Sequence, residues 1–241
     1  MRAGDVLAGL CNGVMGGLLG LGSALRAPGL AEPRAREAVV LRNATGLVAA
    51  VAAWLCRARI VPLDVLAAQL DVVLAFFLGT LTGSLAGATQ RQRDWRACLL
   101  VLGALGLAVV AWPAHAWGVA AGVAIGMAMG CGTGAGLLLV PAIVSLYGLE
   151  VEVAGSLALM IGAPLLATGL LRDTATWPVL CQKRDRLPAL AGGAAAGAAL
   201  GVLVLGWLPS HMVMTLLEAL LVYAAFINFG AFFTKFLHAK S

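Results

Sequence analysis

The 241-residue chain is 61% hydrophobic and 11% charged, with a mean hydropathy of +0.97, whereas a soluble domain carries about 45–50% apolar and about 25% charged residues. This composition excludes a water-solvated globule, a disordered chain and a collagen-like one, and makes the lipid bilayer the expected solvent. The net charge of +5 comes from arginines in short clusters between apolar segments, which read as membrane topology signals and not as a nucleic-acid surface. The five cysteines, Cys11, Cys56, Cys98, Cys131 and Cys181, lack paired spacing and read as small buried fillers, not as a disulfide framework.

The first eight residues precede no convincing cleavage site, so no removable signal peptide is expected. A membrane-spanning helix needs about 20 mostly apolar residues. The chain offers six ordinary spans on that criterion, at 39–55, 65–88, 97–112, 151–171, 187–208 and 212–233. Two further apolar stretches, 5–30 and 114–147, differ because glycine crowds their middles and a proline, Pro28 or Pro141, follows. Neither is expected to be a straight helix. They also resemble each other: Gly13-Val14-Met15-Gly16-Gly17 leading to Pro28 matches Gly126-Met127-Ala128-Met129-Gly130 leading to Pro141, both at an offset of 113. The expected organisation is one membrane domain over 1–241, built from a first repeat at 5–113 and a second at 114–237. Each repeat is a glycine-rich broken segment followed by three helices.

Orientation follows the Lys/Arg content of short loops. The clusters are Arg34 with Arg36, then Arg91, Arg93 and Arg96, then Lys183, Arg184 and Arg186, and finally Lys235 and Lys240. If both broken segments crossed the bilayer, the second and third clusters would fall on opposite sides. If each dips in and returns, every cluster and the C-terminus lie in the cytoplasm, and the acidic loop at 150–152 lies outside. Arg57 and Arg59 are the exception. Three crossings then separate the repeats, so the halves are inverted. Inverted repeats with matching Gly/Pro-interrupted segments mark secondary transporters that bind substrate near the midplane.

The run Gly130-Cys131-Gly132-Thr133-Gly134-Ala135-Gly136-Leu137-Leu138-Leu139-Val140-Pro141, followed by Glu152-Val153-Ala154-Gly155-Ser156-Leu157, resembles the sulfite exporter TauE/SafE family of membrane permeases. A weaker first copy runs from Gly20-Leu21-Gly22-Ser23 to Pro28, then Arg36-Glu37-Ala38-Val39. The resemblance implies an all-α permease in a bacterial inner membrane that moves small sulfur oxyanions, organosulfonates or other small organic anions. Departures from the repeat pattern are Cys131 and Thr133 in the second copy, and Arg26 and Arg42 where the second copy has Leu139 and an apolar stretch.

Glycine runs at membrane depth free backbone N–H groups to point into a cavity, and a half-helix N-terminus adds partial positive charge. Gly20, Gly22 and Ser23 with Gly132, Thr133, Gly134 and Gly136 are therefore the candidate two-sided oxyanion cradle; close helix packing is the competing reading. Ser23 and Thr133 carry hydroxyl donors, unless these back-bond to their own helices. Arg42 and Asn43 interrupt an apolar span, so Arg42 is either an anion ligand or a snorkelling cation. Arg26 offers a fork of donors suited to a sulfonate. Cys131 and Ser156, both in the stretches that carry the resemblance, complete the substrate-binding candidates. Asp71 and Glu218 are the candidate proton-coupling residues, and Asn228 reads as an interhelical hydrogen bond.

Trp54, Trp112, Trp117, Trp177 and Trp207 fall near helix ends, as an aromatic belt requires. His115 and His211, in outer turns without a third ligand, make no metal site. The repeat thus points to a secondary transporter, and the resemblance implies export of small sulfur-containing anions; no cofactor and no nucleic-acid partner is expected. The chain's small residues also permit a homodimer. An anion channel lined by backbone groups and a permease for a non-sulfur organic anion stay open as alternatives. An enzyme using Cys131 lacks any nucleophile–base pair of recognisable spacing.

Overall fold

The computed structural model describes residues 3–19, 35–90, 115–130, 138–172, 176–219 and 222. Every regular element among them is helical: α1 (Ala3–Leu19), α2 (Ala35–Arg57), α3 (Leu63–Ala67), α4 (Leu70–Gln90), α5 (Ala116–Gly130), α6 (Leu139–Tyr147), α7 (Val151–Arg172), α8 (Thr176–Gln182) and α9 (Leu187–Leu205). A further helical stretch covers 210–219. Three helices are long and apolar enough to cross a membrane, Glu37–Arg57, Val151–Arg172 and Leu187–Leu205, and Leu70–Ala86 and Ala116–Met127 are shorter apolar helices. The described residues are therefore all-helical and of membrane-spanning character.

These helices coincide with the expected spans 39–55, 151–171 and 187–208. The expected span 65–88 is divided instead, with Pro62 leading into α3 and Ala68 ending it before α4 begins. Nothing in the residue types at 67–70 explains that division. Pro164 lies inside α7 without ending it. The span at 97–112 and most of that at 212–233 lie outside the described residues. The glycines of 13–17 and 126–130 are helical, so any break in the glycine-rich segments falls after them, at 20–34 and 131–137, which are not described.

Two helix pairs dominate the packing, α1 with α9 and α4 with α5. Both use glycine for close approach. A Cβ on Gly9 would collide with the Leu190 carbonyl oxygen, one on Gly13 with that of Ala194 and one on Gly17 with that of Ala198; Gly193, Gly197 and Gly201 are equally closed from the other side. The second pair repeats the arrangement, with Gly79 against Val119, Gly83 against Val123 and Gly126 against Thr80. The rising numbers on both partners make each pair parallel. Small residues at this spacing let backbones meet, which is what drives helix association where lipid removes the hydrophobic difference. Gly9, Gly13 and Gly17 stand 113 positions before Gly122, Gly126 and Gly130, and Gly79, Gly83 and Gly87 stand 114 before Gly193, Gly197 and Gly201.

The remaining elements fix direction. α2 and α7 run antiparallel, since Arg57 meets Glu152 at one end and Asn43 faces Gly169 towards the other. The α1–α9 pair begins where Arg186 binds Asp5, with a 2.6 Å Nη2–Oδ1 contact. Lys183 reaches Glu37 at 3.5 Å, so α2 starts at that same end. The α4–α5 pair begins at the other end, where Asp71, His115 and Tyr147 meet. The two glycine-packed pairs thus point in opposite directions. A core of Phe76, Val140, Ile143, Leu157 and Ile161 joins α4, α6 and α7.

Both members of the Asp5–Arg186 pair are largely buried, so removing one leaves the other's charge poorly solvated. Asp5→Asn is expected to lower stability by about 1–3 kcal/mol, measured by thermal unfolding in detergent. A change within about 0.5 kcal/mol would mean the pair is solvated in the membrane-embedded protein.

Candidate functional site

Near Leu19, the last described residue of α1, the carbonyls of Gly17 and Leu18 accept side-chain hydrogen bonds. Arg57, the final residue of α2 and only 2% exposed, supplies the donors. Its Nε donates to the Gly17 carbonyl at 3.0 Å, Nη2 to Leu18 at 2.9 Å and Nη1 to Glu152 at 3.0 Å. Gly155 leaves the space that the guanidinium fills. A cation at the negative end of a helix dipole is favourably placed. Of the two residues that break the basic-loop rule, Arg57 is thus buried and joins α1, α2 and α7, whereas Arg59 is exposed. Ser210 Oγ donates to the Glu152 carboxylate at 2.8 Å, bringing the 210–219 helix to the same end.

Of the expected substrate ligands, Gly20, Gly22, Ser23, Arg26, Cys131, Gly132, Thr133, Gly134 and Gly136 lie outside the described residues. What flanks them is described. α6 begins at Leu139, preceded by Leu138 with no side-chain cap, and Leu139, Val140 and Ile143 are buried. Nine helical residues rise about 13 Å, so α6 runs from Tyr147 at the membrane end only part of the way through the bundle. Tyr147 Oη lies 3.1 Å from His115 Nδ1, so the start of α5 and the end of α6 lie together. Asp5 and Glu37 lie together at the opposite end through Arg186 and Lys183, so α1 and α2 start at the same end.

Arg42 and Asn43 are half-buried on α2, and Asn43 Nδ2 would stand 3.8 Å from a Cβ on Gly169 of α7. Ser156 is fully buried, and its hydroxyl donates to the Glu152 carbonyl at 2.9 Å, the oxygen Arg57 also uses. Asp71 caps its own helix, accepting from the Val72 N–H at 2.8 Å, and its other oxygen meets His115 Nε2 at 3.1 Å. Glu218 is exposed on the 210–219 helix, far in the chain from any of these groups. Trp117, Trp177 and Trp207 are exposed as a belt requires, whereas Trp54 packs inward beside Ala50, Ala53, Leu159 and Ala198. Asn228 lies outside the described residues.

Two residues escaped the sequence reading. Asn12, on α1, is 4% exposed, and its Oδ1 has no hydrogen-bond partner. Its signal was available, as a lone amide in a glycine-rich apolar segment. His115 was read only as an outer-turn residue without a third metal ligand; Asp71 on α4 and Tyr147 on α6 meet it, where no local spacing reveals them.

The described residues define a helical protein of membrane-spanning character, with ion pairs at both ends of oppositely directed helix pairs. No family model, no curated protein and no solved structure matches the chain.

Proposed function

We propose that the protein is a secondary transporter of a small anion, of the TauE/SafE type, that alternates access to a midplane site between two inverted halves. Sulfite or an organosulfonate is the favoured substrate class, and export the favoured direction, because an inside-negative potential itself drives anions outward. The observation that carries the reading is the exchange between halves. α1 of the first half packs on α9 of the second, α5 of the second packs on α4 of the first, and the two pairs run oppositely with glycines in register. That is the relation an inverted repeat requires. The meeting of the start of α5 with the end of α6, and of the starts of α1 and α2, fits two re-entrant segments.

On this reading the uncapped start of α6, with Gly132, Thr133, Gly134 and Gly136 before it, presents N–H groups to the anion. Gly20, Gly22 and Ser23 present the corresponding groups from the first half. Arg26, Arg42 and Asn43 line the approach, and Asn12 adds an amide from α1.

The test is counterflow. Vesicles of purified protein are preloaded with unlabelled sulfite, labelled sulfite is added outside, and sulfoacetate, thiosulfate, sulfate and lactate compete in turn. Transient accumulation of label, suppressed by one anion class, is expected. Conductance without exchange would make the protein a channel, and no exchange with any of these anions from correctly inserted protein would remove the reading.

A further inference from the structure

We infer that Arg57 is a bolt between α1 and α7 that parts on the α7 side, and that its seating in the slot at Gly155 shuts the bundle at the end away from Lys183 and Arg186. As a gate in transport the bolt rests on the carrier reading; as a device of the fold it stands on its own geometry.

The division of the bonds carries the inference. Two of the three go to α1, from Nε to the Gly17 carbonyl at 3.0 Å and from Nη2 to that of Leu18 at 2.9 Å. α1 also packs on the helix that bears Arg57, since Ala8, Leu41 and Leu190 form one buried cluster of α1, α2 and α9. The third bond, from Nη1 to the Glu152 carbonyl at 3.0 Å, reaches α7. That oxygen also accepts from the Ser156 hydroxyl at 2.9 Å, so it keeps a partner when the guanidinium withdraws. The Glu152 carboxylate accepts from Ser210 Oγ and stays with the 210–219 helix. When the start of α7 moves off, one charged hydrogen bond is given up, Arg57 keeps its two bonds to α1, and the Glu152 carbonyl is not left without a donor. A tie divided in this way opens at one seam, and Arg57 travels with α1.

The seat is Gly155. A Cβ there would meet Nη1, Nη2 and Cζ of Arg57, so the guanidinium occupies the volume of the missing side chain. Behind it Ala53, one turn before Arg57 and fully buried, packs with Leu159 of α7 and Ala198 of α9. The seam that the bolt covers is therefore apolar.

The second half carries the arginine without the seat. Glu37 and Arg57 on α2 stand 115 positions before Glu152 and Arg172 on α7, which makes Arg172 the counterpart of Arg57. In the same register Gly155 corresponds to Val40, whose branched side chain is buried and leaves no slot for a guanidinium. Arg172 is exposed. The bolt thus acts at one end of the bundle; towards the other, α2 and α7 meet through Asn43 and Gly169.

The test withdraws the guanidinium without removing it. Gly155→Ala places a methyl group where Nη1 sits, at the far end of a flexible side chain, and leaves Arg57 its bonds to α1. In the full chain with the native cysteines replaced, Ala53→Cys reports the seam behind the bolt, and Ala189→Cys, also buried but at the opposite end, is the control. Each is exposed in vesicles to a membrane-impermeant thiol reagent. Gly155→Ala is expected to make Ala53→Cys react about tenfold faster, the change in local opening that one charged hydrogen bond commands, from the face of Arg59 and Glu150, and to leave Ala189→Cys unchanged. Gly162→Ala, on the same helix with nothing within 4 Å of its Cβ, should change neither. In an Arg57→Ala background Gly155→Ala should add nothing to the Ala53→Cys rate, because the seat is already empty. No gain at Ala53→Cys would overturn the bolt, as would an equal gain at Ala189→Cys, which means general loosening, or a gain that persists in full without Arg57. Counterflow separates the two readings. Exchange by a protein whose Ala53→Cys reactivity ignores Gly155→Ala leaves a carrier without this bolt. A one-sided gain in a protein that exchanges none of the anions leaves the bolt and removes the carrier.

Discussion

Arg57→Leu is expected to cost about 1–3 kcal/mol of folding stability, the usual penalty for leaving buried acceptors without their charged donor. The guanidinium is the donor for the carbonyls of Gly17 and Leu18 and reaches Glu152 as well. Without it the Gly17, Leu18 and Glu152 carbonyls lose these donors, and each lost bond carries its own penalty. Arg57→Lys should recover little, because an ammonium on a flexible stem cannot span three acceptors on two helices as a planar fork does. Arg59, two residues on and exposed, supplies the control: Arg59→Ala should change stability by less than about 0.5 kcal/mol. Unfolding midpoints in detergent read all three. A mild Arg57→Leu phenotype would mean that water or lipid headgroups reach the carbonyls in the real membrane.

The adjacent pair Gly192 and Gly193 gives the second large effect, and a sharper one because propensity is the same at both. A Cβ on Gly193 would strike the Val6 carbonyl oxygen, whereas nothing lies within 4 Å of one on Gly192. Gly193→Ala should therefore force α1 and α9 apart and cost about 1–3 kcal/mol. Gly192→Ala should gain up to about 1 kcal/mol from helix propensity. Equal effects at the two positions would contradict the parallel glycine seam. Gly197→Leu, with its Cβ directed at the Leu10 carbonyl, should prevent the seam from forming at all.

The spans were legible wherever an apolar run of sufficient length was bounded by charge, as in 39–55, 151–171 and 187–208. The division between α3 and α4 was not, since Ala67, Ala68, Gln69 and Leu70 contain neither glycine nor proline. Glycine spacing announced close packing, and Gly193 and Gly197 do pack internally, but the spacing named no partner. Arg57 was misread for the same reason. Its acceptors stand 40, 39 and 95 positions away, so loop counting saw only a misplaced basic residue. His115 likewise gains its meaning from Tyr147, 32 positions on. Local pattern reports depth and small-residue faces; the capping of one helix by another's terminal side chain is a tertiary fact.

The arrangement of the halves is open to sidedness labelling. With the five native cysteines replaced, single cysteines at Gly4, Arg59, Trp117, Glu150 and Asp185 are exposed to a membrane-impermeant thiol reagent in intact vesicles and then after permeabilisation. Gly4 and Asp185 should label from one face, and Arg59, Trp117 and Glu150 from the other, because α1 begins beside Arg186 while the start of α5 and the end of α6 lie together. Trp117 and Glu150 labelling from opposite faces would mean that 115–147 crosses the bilayer, and the inverted-halves transporter would fall with it.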